Sequence, residues 1–211
     1  AVLGEMFSPS AFTAAAEAHP RSPCPDSGLV LISGPSRSGK SRWAEHLAQR
    51  SARPVLYLAT GPAPDGDHSW AERVSLHRSR RPPTWESQEV GSDLEASLRA
   101  LQCPDHPHHH HLLLIDSLGS WLAWHLEDEP EPWSERCRAL QALLHNHPQP
   151  ILLVVEETGW GVVPPTAIGG LFRDRLGSLQ QQLMLDCRQA WLVVAGRALD
   201  LLALGHPIPG D

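Results

Sequence analysis

The stretch from Leu29 to Ser41 constrains the fold of this chain more than any other. Four apolar residues at 29–32, read LVLI, lead into an octet that fits the pattern G-x-x-x-x-G-K-[ST]. The pattern predicts a buried strand, a phosphate-binding loop (P-loop) and a helix that begins near Lys40. The eight residues of this loop are candidate nucleotide ligands: Gly34, Pro35, Ser36, Arg37, Ser38, Gly39, Lys40 and Ser41.

The chemistry of phosphate binding explains why these residue types occur in this order. Glycines let backbone N–H groups approach phosphate oxygens, and the N-terminus of the following helix adds partial positive charge. Lys40 is the only lysine among the 17 lysines and arginines of the chain. We expect Lys40 to contact the β- and γ-phosphates and the Ser41 hydroxyl to bind Mg²⁺. The motif therefore predicts binding of a nucleoside triphosphate.

Length and composition exclude several other classes of protein. A chain of 211 residues predicts a single main domain, and the formal net charge of −7 disfavours a large nucleic-acid-binding face. The four cysteines lack metal-site spacing, so we interpret them as reduced thiols. The sequence has neither an apolar run long enough to span a membrane nor a secretion-signal pattern, which favours a cytoplasmic protein.

Four further apolar segments predict strands that alternate with helices, namely 55–59, 112–115, 151–155 and 191–195. This alternation predicts an α/β fold with a mainly parallel sheet covered by helices on both faces. Together with the P-loop motif, we interpret it as a RecA-like P-loop NTPase fold. Between these segments we expect a short strand at 85–90 and a helix at 93–101 capped by Ser92, with a later helix at 133–145.

Three parts of the chain are expected to differ in order. Residues 1–28 predict a poorly ordered N-terminal extension, residues 29–202 the P-loop domain, and residues 203–211 a loose tail.

The residues that follow the predicted strands are candidates for the catalytic edge, because ligands of open α/β sheets bind beyond the carboxyl ends of the strands. Asp116 follows four apolar residues, the Walker-B pattern that places a carboxylate beside Mg²⁺. Glu156 and Glu157 end another strand, and either could compete with Asp116 for this role. Thr60 and Gly61 begin a loop at the same edge.

Four consecutive histidines, residues 108–111, lie in a predicted loop at 102–111. Consecutive side chains point in different directions, and no acid or cysteine has ligand spacing to them in the sequence. We therefore interpret this segment as a loop without a metal site.

A P-loop by itself does not define a reaction. The guanine-reading N-K-x-D motif of signalling GTPases is missing, since the chain has no second lysine. The segment RVSLHRSRRPPTW at 73–85 instead joins one histidine to several arginines.

Several motifs together carry a family resemblance. They are G-x-x-R-S-G-K-S-R in the P-loop, LYLAT at 56–60, R-[IV]-x-x-H-R-x-x-R-P-x-x-W from residue 73, E-x-G-x-G-x-V-P at 157–164, FRD at 172–174 and WLVVAG at 191–196. With these motifs, residues 29–201 resemble the bifunctional adenosylcobinamide kinase/adenosylcobinamide-phosphate guanylyltransferase family. Relatives often have Glu at the position of Asp116, and Asn at the positions of Glu156 and Gln180.

The resemblance implies two reactions of cobalamin biosynthesis. A nucleoside triphosphate, ATP or GTP, phosphorylates adenosylcobinamide. GTP then guanylylates a histidine, and the GMP passes to adenosylcobinamide phosphate. Mg²⁺, held by Ser41 and Asp116, is the implied cofactor, and a homo-oligomer without nucleic acid or a membrane span is the implied assembly.

His77 matches the histidine that carries GMP. Neutral imidazole is a good nucleophile toward phosphorus, and its ordinary pKa of about 6.5 leaves much of it neutral at pH 7. Lys40 is the second candidate catalytic residue. The resemblance also implies nucleotide binding by Ala59, Thr60, Gly61, Arg78, Ser79, Arg80, Arg81, Glu89 and Asp116.

Two other functions stay open from the residues alone. One is a P-loop kinase of another small alcohol, in which His77 is incidental. The other is a RecA-like, nucleotide-switched interaction module that yields no small-molecule product.

Overall fold

The computed structural model describes residues 24–62, 75, 79–160 and 166–209, and seven strands lie within them. The strands are β1 (Gly28–Gly34), β2 (Val55–Ala59), β3 (Glu86–Glu89), β4 (Leu112–Asp116), β5 (Pro150–Glu156), β6 (Gln189–Val194) and β7 (Arg197–Asp200). They form one sheet in the order β3-β2-β4-β5-β1-β6-β7. All neighbouring pairs are parallel except β6 and β7. The predicted α/β class with a mainly parallel sheet is confirmed.

Helices cover both faces of this sheet. They are α1 (Lys40–Arg50), α2 (Leu94–Leu101), α3 (Leu118–Trp124), α4 (Pro130–His145), α5 (Ala167–Met184) and the short α6 (Leu201–Leu204). Successive residues of a strand point to opposite faces. Leu29 and Leu31 of β1 accordingly pack in the core under α2 to α5, and Val30 and Ile32 pack in the core under α1. The central strands are apolar throughout because both of their faces are buried.

Two predicted helix starts are wrong. Ser92 does not cap α2, because the helix begins at Leu94 after Asp93, and the Ser92 hydroxyl lies 3.3 Å from the Asp93 carboxylate instead. Helix α4 begins at Pro130 rather than at residue 133. Proline is accommodated there because the first turn of a helix has no intrahelical partner for its N–H groups.

The antiparallel strand β7 was not predicted. Ala195 and Gly196 both have positive φ angles, 49° and 74°, and form a two-residue turn from β6 into β7. The turn lacks the Asn-Gly or Asp-Gly signature of such hairpins, so the sequence gives little sign of it.

Several predictions lie outside the described residues. These are most of the 1–28 extension and both His77 and Arg78. None of the helices in the described part of the chain is long and apolar enough to cross a membrane.

Candidate functional site

The P-loop connects the carboxyl end of β1 to the first residue of α1, as predicted. A Cβ on Gly34 would collide with the backbone carbonyl of Val193, so only glycine fits where the loop leaves β1. Gly39 has a φ of 101° and is the N-cap of α1. The Lys40 ammonium donates to the Pro35 carbonyl at 3.4 Å. The buried Ser38 hydroxyl has no hydrogen-bond partner among the described residues. It is therefore available to form a hydrogen bond with a ligand bound in the loop.

The sheet order determines which acidic residues face this loop. Strand β5 lies between β1 and β4, with Gly34 in register with Glu156 and Val154 in register with Asp116. Two strand spacings, about 10 Å, therefore separate the P-loop strand from the strand of Asp116. Glu156 occupies the position between them.

Glu156 is a half-buried residue at the centre of this edge. It accepts hydrogen bonds from the Ser117 hydroxyl and, at 2.9 Å, from the backbone N–H of Gly119. Burial raises the pKa of Glu156, and the hydrogen bond from Ser117 lowers it. The charge of Asp116 raises this pKa further, whereas the charge of Lys40 lowers it.

Glu157 has a different role from its neighbour. Its carboxylate accepts a 2.7 Å hydrogen bond from the Gln180 amide, and its backbone N–H donates to the carbonyl of Gly34. Glu157 thus fixes the position of Gly34, the first residue of the P-loop. Of the two glutamates left open by the sequence, Glu156 is the one that bonds to Ser117, the residue that follows Asp116.

Asp116 is held by the only tyrosine of the chain. The Tyr57 hydroxyl donates to Asp116 Oδ2 at 2.8 Å, and the Arg81 guanidinium lies 3.3 Å above the centroid of the Tyr57 ring. A tyrosine buried in a strand usually finds a hydrogen-bond partner. That rule was the one sequence signal that could have linked Tyr57 to this site.

Arg80 lies beside helix α1. Its guanidinium pairs with the Glu45 carboxylate at 3.4 Å. Burial raises the pKa of Glu45, and the Arg80 charge opposes this rise.

The buried Nε atoms of both Arg80 and Arg81 have no hydrogen-bond partner among the described residues. Two cations with spare donors are what a polyphosphate site needs.

The end of β2 is fastened to β4 and α3. Thr60 is fully buried, and its hydroxyl bonds to both the backbone N–H and the carbonyl of Ser117 at 2.7 Å. The Trp124 indole donates to the Thr60 carbonyl. Ala59 pairs in register with Asp116 on one side and Glu89 on the other. The structure therefore gathers Ala59, Thr60, Glu89 and Asp116 at one edge, and their contact with a nucleotide remains a prediction.

The oxygen donors at this edge suit a hard divalent cation. The hydroxyl of Ser41, in the first turn of α1, and the carboxylate of Asp116 are ligands that Mg²⁺ prefers. Glu156 adds a further carboxyl group at the same edge. The donor set fits Mg²⁺, with Ser41 and Asp116 as its expected holders.

Sequence reasoning missed a cluster at the opposite edge of the sheet. Glu86, His108 and His111 bring one potential ligand atom each to within 4.8 Å of one another. Glu86 is thus an acidic partner of the histidine segment that spacing along the sequence did not indicate, and the prediction of a loop without a metal site remains untested. Glu86 is distant in the sequence and reaches the histidines only through sheet pairing.

A P-loop between a buried strand and a helix, faced by an acidic strand end two strands away, defines the class: a P-loop nucleotide-binding protein with a RecA-like α/β fold. The family model for cobinamide kinase / cobinamide phosphate guanyltransferase matches residues 30–201. The chain belongs to that family.

Curated relatives agree with this assignment. The chain is 38% identical over 183 residues to the bifunctional adenosylcobalamin biosynthesis protein CobP of Pseudomonas aeruginosa, covering 84% of this chain and 98% of the relative. It is 31% identical over 181 residues to the bifunctional adenosylcobalamin biosynthesis protein CobU of Salmonella typhimurium, covering 80% and 96%. Among solved structures, a type III secretion ATPase matches with a TM-score of 0.49 at 12% identity, covering 85% of this chain and 59% of that one.

Proposed function

We propose that this protein phosphorylates adenosylcobinamide with a nucleoside triphosphate and then transfers GMP from GTP to the product, giving adenosylcobinamide-GDP and pyrophosphate. The observation that carries the proposal is an intact P-loop, with Asp116 at the same edge of the sheet, in a chain of this family. Two relatives that align over nearly their whole length are named bifunctional adenosylcobalamin biosynthesis proteins.

In the kinase step, the substrate hydroxyl attacks the γ-phosphorus of the nucleoside triphosphate. A phosphate ester forms, and the bond to the leaving nucleoside diphosphate breaks as the hydroxyl proton is released. Lys40 and the P-loop N–H groups bind the oxygens on which negative charge accumulates. Mg²⁺, bound by Ser41 and Asp116, would neutralise phosphate charge. Tyr57 orients Asp116 through its 2.8 Å hydrogen bond.

In the transferase step, a ring nitrogen of His77 attacks the α-phosphorus of GTP, and pyrophosphate leaves. An oxygen of the adenosylcobinamide phosphate then attacks the same phosphorus, and the bond to His77 breaks. Dividing the transfer into two displacements is the usual benefit of covalent catalysis. Arg78, Arg80 and Arg81 would balance the developing charge. His77 and Arg78 lie outside the described residues, so their roles rest on the sequence.

Further features of the proposal follow the family. Ala59, Thr60, Gly61, Ser79 and Glu89 complete the nucleotide site, and either ATP or GTP serves the kinase step. We further propose a homo-oligomer that binds no nucleic acid. Ile168 and Leu171 of α5 are exposed apolar side chains and offer a surface for subunit contact.

Product analysis tests the proposed function. The full chain is incubated with adenosylcobinamide, Mg²⁺ and ATP, then with GTP, and the corrinoids are separated by liquid chromatography and mass spectrometry. We expect adenosylcobinamide phosphate after the first step and adenosylcobinamide-GDP with pyrophosphate after the second. Unchanged adenosylcobinamide, or a phosphate that GTP never converts, would contradict the proposal as stated.

A further inference from the structure

The histidine segment between α2 and β4 folds into successive tight turns. The backbone N–H of His109 donates to the His106 carbonyl at 2.9 Å, and that of His111 donates to the His108 carbonyl at 3.0 Å. In such i to i+3 turns, side chains three residues apart lie on the same side. His108 and His111 therefore face the same direction, although consecutive histidines do not.

A buried glutamine fixes the position of these turns. The Gln149 side-chain amide donates to the carbonyls of His108 and His111 at 2.7 and 2.9 Å. Gln149 is 2% exposed and directly precedes β5. The two histidines are thus fixed to the sheet from behind, which lowers the entropic cost of ordering them around a ligand.

Edge strand β3 supplies the acidic partner. Glu86, its first residue, pairs in register with Leu56, one residue after the Val55–Leu112 pair that begins β4. Sheet pairing therefore brings the Glu86 carboxylate to the start of β4. Oε2 lies 2.8 Å from His108 Nε2 and Oε1 lies 3.6 Å from His111 Nε2.

We propose that Glu86, His108 and His111 form a binding site for a divalent transition-metal ion, with Zn²⁺ the best match. Tetrahedral Zn²⁺ with bonds of about 2.0–2.2 Å to nitrogen and oxygen separates its ligand atoms by about 3.3–3.6 Å. Glu86 lies 2.8 and 3.6 Å from the two histidines, close to this range, and all three ligand atoms lie within 4.8 Å of one another. Imidazole and carboxylate donors suit Zn²⁺, whereas Mg²⁺ prefers oxygen ligands alone.

The site is open on its solvent side. The Glu86 side chain is 59% exposed, against 24% for His108 and 13% for His111. An ion can enter from solvent, and water can occupy a fourth position. The Nδ1 atoms of both histidines lack a hydrogen-bond partner among the described residues. Because such outer partners strengthen metal binding, we expect a weaker affinity than that of a closed four-ligand zinc site.

The location of the site indicates its effect. It lies at the amino edge of the sheet, opposite the carboxyl edge that carries the P-loop and Asp116. An ion here would tie the exposed edge strand β3 to the histidine turns. It would stabilise the fold and take no part in phosphoryl transfer, so this inference is independent of the proposed function.

Zinc titration of the full chain tests the site. After removal of metal with a chelator, Zn²⁺ binding is measured by calorimetry and thermal unfolding in excess Mg²⁺. We expect one saturable site and a higher unfolding temperature with Zn²⁺. The double variant H108A/H111A should lose this binding. Glu86→Gln, which keeps the side-chain shape, should weaken it at least tenfold.

A matched pair of substitutions in the same tract serves as the control. H109A/H110A also removes two histidines but leaves the three ligands in place, and it should bind Zn²⁺ as the wild type does. Absence of saturable binding in the wild type would overturn the proposal. So would equal loss of binding in both double variants, which would indicate non-specific binding by the tract.

Discussion

Polar side chains at the carboxyl edge are positioned by contacts with one another, namely a hydrogen bond, a cation–π contact and an ion pair. Tyr57 donates to Asp116, Arg81 covers the Tyr57 ring, and Arg80 pairs with Glu45. Yet Nε of each arginine and the hydroxyl of Ser38 remain without partners among the described residues. Arginine N–H groups and a serine hydroxyl are donors of the kind that phosphate oxygens accept from.

Lys40 tests this arrangement at the scale of one side chain. Lys40→Ala should lower the rate of both phosphoryl and guanylyl transfer by about 10²–10³-fold, because a preorganised cation in the P-loop is lost. Steady-state kinetics with adenosylcobinamide and its phosphate measure the effect. Arg50→Ala removes an exposed cation from the last turn of the same helix and should leave both rates unchanged. Equal rates in Lys40→Ala and the wild type would disprove the assignment of the P-loop.

Elements whose signals are local were predictable from the sequence. The P-loop was predicted with its flanking strand and helix because glycine spacing, apolar run and helix start are adjacent in the chain. Strand β7 was missed because its four residues alternate weakly and its Ala195-Gly196 turn is not diagnostic. The choice between Glu156 and Glu157 stayed open because it depends on strand order.

Contacts between elements were the least predictable part of the candidate site. The cluster of Glu86, His108 and His111 joins an edge strand to a distant loop. His108 and His111 point in the same direction only because the segment folds into tight turns, which no sequence pattern predicted. The pairing of Tyr57 with Asp116 likewise requires β2 and β4 to be neighbours.

Buried His147 joins α2 to the start of β5 and predicts a pH dependence of stability. Its Nε2 bonds to the Leu98 carbonyl at 3.2 Å, and its Nδ1 accepts from the Gln149 N–H at 3.4 Å. Burial lowers the pKa of His147. The unfolded chain therefore takes up a proton near pH 6.5 while the native ring stays neutral. The contribution of His147 to the free energy of unfolding is therefore fully present above that pH and is lost as the pH falls toward the native pKa.

Urea unfolding at a series of pH values between about 5.5 and 7.5, in the presence of chelator, measures this loss. His147→Gln keeps an N–H donor but cannot titrate. The wild-type free energy of unfolding should fall more steeply with decreasing pH than that of the variant, by up to about 1.4 kcal/mol per pH unit. Parallel curves for the two proteins would show that His147 does not carry the effect.

The whole molecule separates its two polar clusters by the length of the parallel strands. The carboxyl edge gathers the P-loop, Asp116, Glu156 and the arginines, whereas the amino edge holds the Glu86–His108–His111 cluster. In open α/β sheets, ligands bind beyond the carboxyl ends of the strands. Because the histidine cluster lies at the other end of the strands, its effect on thermal unfolding can be measured separately from the effect of P-loop substitutions on the reaction rates.

The central claim, a transferase that works through a guanylylated His77, is tested most directly by labelling. The full chain is incubated with Mg²⁺ and GTP labelled at the α-phosphorus, denatured, and treated with acid or alkali. We predict a protein-bound label that survives alkali, is released by acid and appears with pyrophosphate, and that is absent from His77→Ala. No label on a wild-type protein shown to bind GTP, or an undiminished label on His77→Ala, would contradict the account.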